Sequence, residues 1–153
     1  MDKVKELIRN KQRIFIYISL VYLLLVVLLK WVIHPSLDAL WFFLGGVIGV
    51  YFLDAAELFF ALNPSPFRSV VFGALFAGVA FFVVTSSTGN IGSGLVLSLY
   101  LQMLLWQSGE WRINGNLNSW YRMVAGPVAE TTQRSILIIS AIVFVVETYI
   151  FIR

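Results

Sequence analysis

The sequence predicts an all-α polytopic integral membrane bundle of five transmembrane helices, and three observations carry that prediction. Of the 153 residues, 59% are hydrophobic and 12% are charged, with a mean hydropathy of +0.87; a soluble domain is about 45–50% apolar and about 25% charged. The apolar residues fall in five long runs, and a spanning helix needs about 20 such residues, with a range of roughly 17–25. No run shows the in–out alternation, repeated over segments of about ten residues, that a membrane barrel requires. An ordinary soluble fold and a disordered chain are both excluded. The absence of cysteine excludes disulfides, thiolate metal sites and cysteine nucleophiles. The single histidine, His34, excludes bis-histidine haem and histidine-cluster metal sites within one chain. No cofactor and no metal are called for.

Residues 1–13 form a basic arm. Val4, Leu7 and Ile8 recur there at helical spacing among the charges, so the arm is either a short helix lying on the inner surface or a plain solvated segment. Residues 14–33 are almost pure Leu, Val and Ile until Lys30. Lys30-Trp31 stands where a signal peptide would carry small residues, so this first span reads as an uncleaved anchor. His34-Pro35-Ser36 closes it, because proline disfavours helix in the residue before it, and Ser36 can cap the next helix. The second span covers residues 38–62. Asn63-Pro64-Ser65-Pro66 then breaks the chain, with Ser65 expected as an N-cap and Pro66 in the first helical turn. The third span covers residues 67–84 and ends at Ser86-Ser87-Thr88-Gly89-Asn90. The fourth, residues 91–106, is short, about 24 Å at ~1.5 Å per residue. Residues 107–134 form an inner interfacial loop, and the fifth span covers residues 135–152.

Lysine and arginine set the orientation. With the N-terminus cytoplasmic and five spans, Lys3, Lys5, Arg9, Lys11, Arg13, Arg68, Arg112, Arg122 and Arg134 lie inside, nine against the two, Lys30 and Arg153, outside. Were the fourth segment only to dip into the bilayer, the split would be seven to four. The C-terminus is therefore expected on the extracytoplasmic side.

Ionisable groups in hydrocarbon are costly and usually face protein, water or a partner. Asp54 and Glu57 sit three residues apart on the second span, so both can face one cavity. Helix rise places Gln102 and Arg68 at a similar depth, and these four groups are expected to form one polar cluster in the inner half of the bilayer. Three uses of it stand open: a structural ion pair, chiefly Glu57 with Arg68; a contact with another subunit; or a proton or hard-cation site, since two close carboxylates would not both stay charged without compensation. Lys30 and Glu147 lie at heights that allow an ion pair near the outer face if the first and fifth helices are neighbours.

Gly45 and Gly49 form a small-xxx-small face on the second helix, and Gly73 and Ala77 belong to a similar face on the third. Such faces let helices approach closely, so these two helices are expected to pack together. In the inner loop, Trp111 and Trp120 read as an aromatic belt at the headgroup layer or, with Arg112 and Arg122, as a docking surface. Gly89-Asn90-Ile91-Gly92-Ser93-Gly94 lacks the Lys-Ser/Thr of a phosphate loop and reads as a turn. There is no basic stripe of the kind that binds nucleic acid. The expected partners are the lipid bilayer and other membrane subunits or another copy of the chain. The expected function is a non-enzymatic accessory or assembly subunit of a larger membrane complex. A small homo-oligomeric proton or cation channel or transporter using Asp54 and Glu57 is the alternative, and an intramembrane lipid-modifying enzyme a further one.

Overall fold

The computed structural model describes residues 13–86 and 89–153. The surface helix considered for residues 2–13, with Lys3, Lys5, Arg9 and Lys11, lies outside the described residues, as do Ser87 and Thr88. Five α-helices occur among the described residues: α1 (Arg13–Ile33), α2 (Asp38–Phe59), α3 (Val70–Thr85), α4 (Asn90–Asn114) and α5 (Glu130–Ile152), with a short 3-10 turn at Asn118–Tyr121 between the last two. Three of them, α1, α2 and α5, are long and apolar enough to cross a membrane. Side chains such as Val32, Leu28, Leu75 and Val145 stand fully outward. A surface this apolar belongs in lipid rather than water, and the molecule is a membrane helical bundle.

The helix ends depart from the sequence expectations in instructive ways. α1 stops at His34-Pro35 as the proline demands, and Ser36 Oγ accepts the Asp38 N–H at 3.3 Å at the start of α2. Ser65 does not cap α3. It holds a turn instead, accepting the Phe67 N–H on its hydroxyl at 3.3 Å. The cap is Ser69, extended at φ −138° and accepting the Phe72 N–H at 3.1 Å. α4 is the larger correction. It runs 25 residues, past the expected end at Trp106, and stops where Gly115 adopts a left-handed conformation (φ 71°) and returns its N–H to Trp111 O. α5 starts at Glu130 rather than Ser135. In both cases hydropathy marks where the apolar stretch ends, whereas the helix continues through polar residues that find partners.

The helices alternate in direction. Gln102 of α4 meets Ser19 of α1, and Gly109 lies beside Phe15, so these two run antiparallel. α1 and α5 run parallel, with Tyr22 bonded to Thr148 and Lys30 to Phe151. α4 is the axle, touching each of the other four helices. It holds most of the buried positions, including Leu97, Tyr100 and Met103, and its buried polar residues are Ser93, Ser98, Gln102 and Gln107.

The Gly45/Gly49 face does not pack on α3. It packs on α4, which runs parallel to it. A Cβ at Gly49 would stand 2.6 Å from Leu95 O and 2.8 Å from Ser98 Cβ, and one at Gly45 would strike Ile91 O. Gly94 on α4 answers from the other side, where a Cβ would strike Phe42 O. The glycine-rich run is thus not a free turn: Gly89 precedes α4 and residues 90–94 make about its first one and a half turns, and Gly94 and Ser98 repeat the four-residue spacing of Gly45 and Gly49. Small residues on both helices bring the two backbones together. A Cβ at Gly73 would stand 3.7 Å from Nε2 of Gln107 on α4, Ala77 packs partly buried against the core, and a Cβ at Gly78 would meet nothing within 4 Å.

Candidate functional site

One end of the bundle collects the start of α1, α3 and α5 and the end of α2 and α4. Glu57 lies in the last turns of α2. The chain then doubles back through Asn63-Pro64-Ser65-Pro66, and Arg68 returns onto Glu57. Its Nε donates to Oε1 and its Nη2 to Oε2, both at 3.0 Å, a bidentate fork. The guanidinium also lies 4.2 Å from the centre of the Trp106 ring. The Arg68 side chain is 49% exposed, so the ion pair contributes at most about 1 kcal/mol. It still decides the chemistry: both oxygens of Glu57 face a cation.

Beside this pair lies the segment between α4 and α5, which is built rather than loose. Glu110, on the last turn of α4, accepts from Ser119 Oγ and from Trp120 Nε1, the latter at 2.9 Å. Gln133, wholly buried on α5, accepts the Leu117 N–H at 2.6 Å and donates to Asn118 Oδ1 at 2.7 Å and Val128 O at 3.0 Å. Leu117, Trp120 and Tyr121 then form a small second core against Val70, Trp106, Trp111 and Ile136. The Tyr121 hydroxyl is buried without a partner among the described residues, and burial pushes its pKa above the ordinary value of 10.0. A cavity of about 460 Å³ opens between this segment and the α2–α3 turn. Glu57, Arg68, Glu110 and Arg122 all line it.

The expected four-residue cluster therefore divides. Glu57 and Arg68 meet. Asp54 is partly buried on α2 and does not line the cavity. Gln102 turns away, donating to Ser19 Oγ at 2.5 Å while that hydroxyl donates to Phe15 O. Among the described residues no group of three or more His, Cys, Asp or Glu side chains stands close enough to hold a metal.

Lys30 and Glu147 do not pair. α1 and α5 are neighbours, but Lys30 Nζ donates to Phe151 O at 2.7 Å and lies 4.0 Å from the Phe151 ring centre. Glu147 is one turn deeper, fully buried, and neither of its oxygens has a hydrogen-bond partner among the described residues. Backbone carbonyls freed at the end of α5 outbid a carboxylate that the lysine would have to enter the core to reach.

Trp120 is 1% exposed, so it is neither a belt residue nor a docking residue. Its indole N–H found Glu110, and its ring fills the second core. Trp111 is partly buried, while Arg112 and Arg122 are exposed. Glu110 and Gln133 escaped the sequence reading, though spacing marks both. Met103, Gln107 and Glu110 continue one helical face of α4, and Gln133, Leu137, Ser140, Phe144, Glu147 and Phe151 follow one inward stripe of α5. No protein-family model, curated protein or solved structure matches the chain.

Proposed function

We propose that this chain is a non-enzymatic subunit of a larger membrane assembly, with all five helices spanning and its arginine-bearing end in the cytoplasm. Helix alternation supports the five spans, and the charges support the orientation. Arg13, Arg68, Arg112, Arg122 and Arg134 belong to one end, whereas Lys30 and Arg153 belong to the other. The observation that carries the assembly role is the shaped segment after α4. Buried hydrogen bonds from Glu110 and Gln133 hold it in one form. It displays Met123 at 62% exposure between Arg122 and the α5 start, and Ile113 at 77% lies beside Arg112. Apolar side chains among cations, on a preorganised surface, suit a partner more than open water.

The test is purification from its own membranes in mild detergent. A defined complex larger than the 17.3 kDa chain, with fixed stoichiometry, is expected. Joint Ile113→Asp and Met123→Asp substitution should release it while helix content stays constant. A wild-type monomer under those conditions would overturn the reading. Proton or cation flux in liposomes that falls when Asp54→Asn and Glu57→Gln are introduced would instead favour a carrier.

A further inference from the structure

The cavity at the arginine end has a charge pattern that identifies a class of ligand. Four charged side chains line it, two cations and two anions, so the site is neutral overall but internally polarised. The cations are unequally engaged. Arg68 spends Nε and Nη2 on Glu57 and keeps Nη1 and one Nη2 hydrogen. Arg122 is exposed and has no hydrogen bond or ion pair among the described residues. The anions are also unequal. Glu57 is neutralised by a cation. Among the described residues Glu110 is held by the neutral donors Ser119 and Trp120 and faces no cation at bonding distance, and each oxygen retains a lone pair.

A single anion would satisfy Arg122 and leave Glu110 repelling it, and a single cation would do the reverse. A zwitterion satisfies both. Phosphate suits the arginines, because guanidinium presents parallel donors to its oxygens. The positive end must be a hydrogen-bonding ammonium rather than a quaternary one, because no aromatic ring among the described residues lines the cavity and quaternary ammonium recognition relies on aromatic faces. The rim supplies Leu62, Pro64, Pro66 and Met123, apolar atoms for a glycerol backbone and the first methylenes. The volume, about 460 Å³, lies within the roughly 300–1,000 Å³ of small-molecule sites. The cavity opens at the ends of the helices, which the proposed topology puts at headgroup level.

We propose that this cavity binds the headgroup of an aminophospholipid, with the phosphate on Arg122 and the free edge of Arg68 and the primary ammonium on Glu110. The cavity shares Arg122 and Met123 with the surface assigned to the assembly, but lipid binding is read on the isolated chain, so the two readings fail separately.

The full-length protein in detergent is tested by native mass spectrometry and thermal shift. The probes are phosphatidylethanolamine, phosphatidylglycerol and phosphatidylcholine with identical acyl chains, together with free phosphoethanolamine. Phosphatidylethanolamine is expected to bind at least tenfold more tightly than the other two lipids. Arg122→Gln should weaken it about tenfold and Arg122→Lys less, whereas Arg112→Gln, outside the cavity, should leave it unchanged. Equal binding of the three lipids, preference for phosphatidylglycerol, or indifference to Arg122→Gln would overturn the proposal. Displacement of the lipid by equimolar free phosphoethanolamine would overturn the lipid assignment.

Discussion

Replacing Gln133 by leucine should unlock the segment after α4 without disturbing the bundle. Leucine has nearly the volume of glutamine, so the loss is chiefly polar. The Leu117 N–H, accepted by Gln133 Oε1 at 2.6 Å, belongs to a residue 2% exposed that no water can reach. Stranding such a donor costs about 1–3 kcal/mol. Val128 O loses a 3.0 Å bond and is partly covered, which adds about 1 kcal/mol. Asn118 is exposed and regains water. The total is about 2–4 kcal/mol, and at ~1.4 kcal/mol per factor of ten its middle value is about a hundredfold. Hydrogen exchange read by mass spectrometry measures this directly, because local opening reports the stability of its own segment. Protection across residues 115–129 should fall about a hundredfold, while the centres of α2 and α4 hold theirs. A change of less than about threefold would refute the role given to Gln133.

Gly94→Ala should destabilise the bundle by about 2 kcal/mol or more, since its Cβ enters the Phe42 carbonyl; Gly78→Ala, facing open space, should stay within about 0.5 kcal/mol. Thermal melting in detergent compares the two, and equal melting would refute the close α2–α4 approach. Glu147→Leu should raise stability by about 1 kcal/mol or more, because a buried carboxyl with no hydrogen-bond partner among the described residues gives way to a well-packed apolar residue; a marked loss would mean that Glu147 has a partner. Tyr121→Phe should be neutral or stabilising by up to about 1 kcal/mol at pH 7, since it removes a buried unbonded hydroxyl. Burial raises the pKa of this phenol in the folded state, so its contribution is whole below pH ~10 and is lost as pH rises through the folded value. Wild type should therefore lose more protection than Tyr121→Phe in residues 115–129 between pH 9 and pH 11; equal losses would refute this.

What the sequence made readable was whatever depends on a segment alone. Five apolar runs became five helices because an apolar segment satisfies its backbone groups most readily within itself. Arg68 reached Glu57 because a proline-rich turn left them few other places to meet. Partner choice was less readable. Gly45 and Gly49 could close on any small-residue face, and only the matching Gly94 and Ser98 on a parallel helix selected α4. Trp120 carried an interfacial signal, but the carboxylate that receives its N–H lies ten residues earlier, on a polar stretch that hydropathy does not mark as helix. Lys30 and Glu147 stood at compatible heights, yet height does not rank a carboxylate against the unsatisfied carbonyls of a helix end.

The axial position of α4 has a consequence for how the protein is made. This helix is 25 residues long, yet it is not among those apolar enough to partition unaided. Serine and glutamine side chains occupy the surface on which α1 and α2 close. In the five-span topology proposed above, its entry into the bilayer is helped by segments synthesised before it, and α5 follows to seal the remaining side. In that topology a ribosome stalled before Asn90 would leave α1, α2 and α3 waiting around an empty centre.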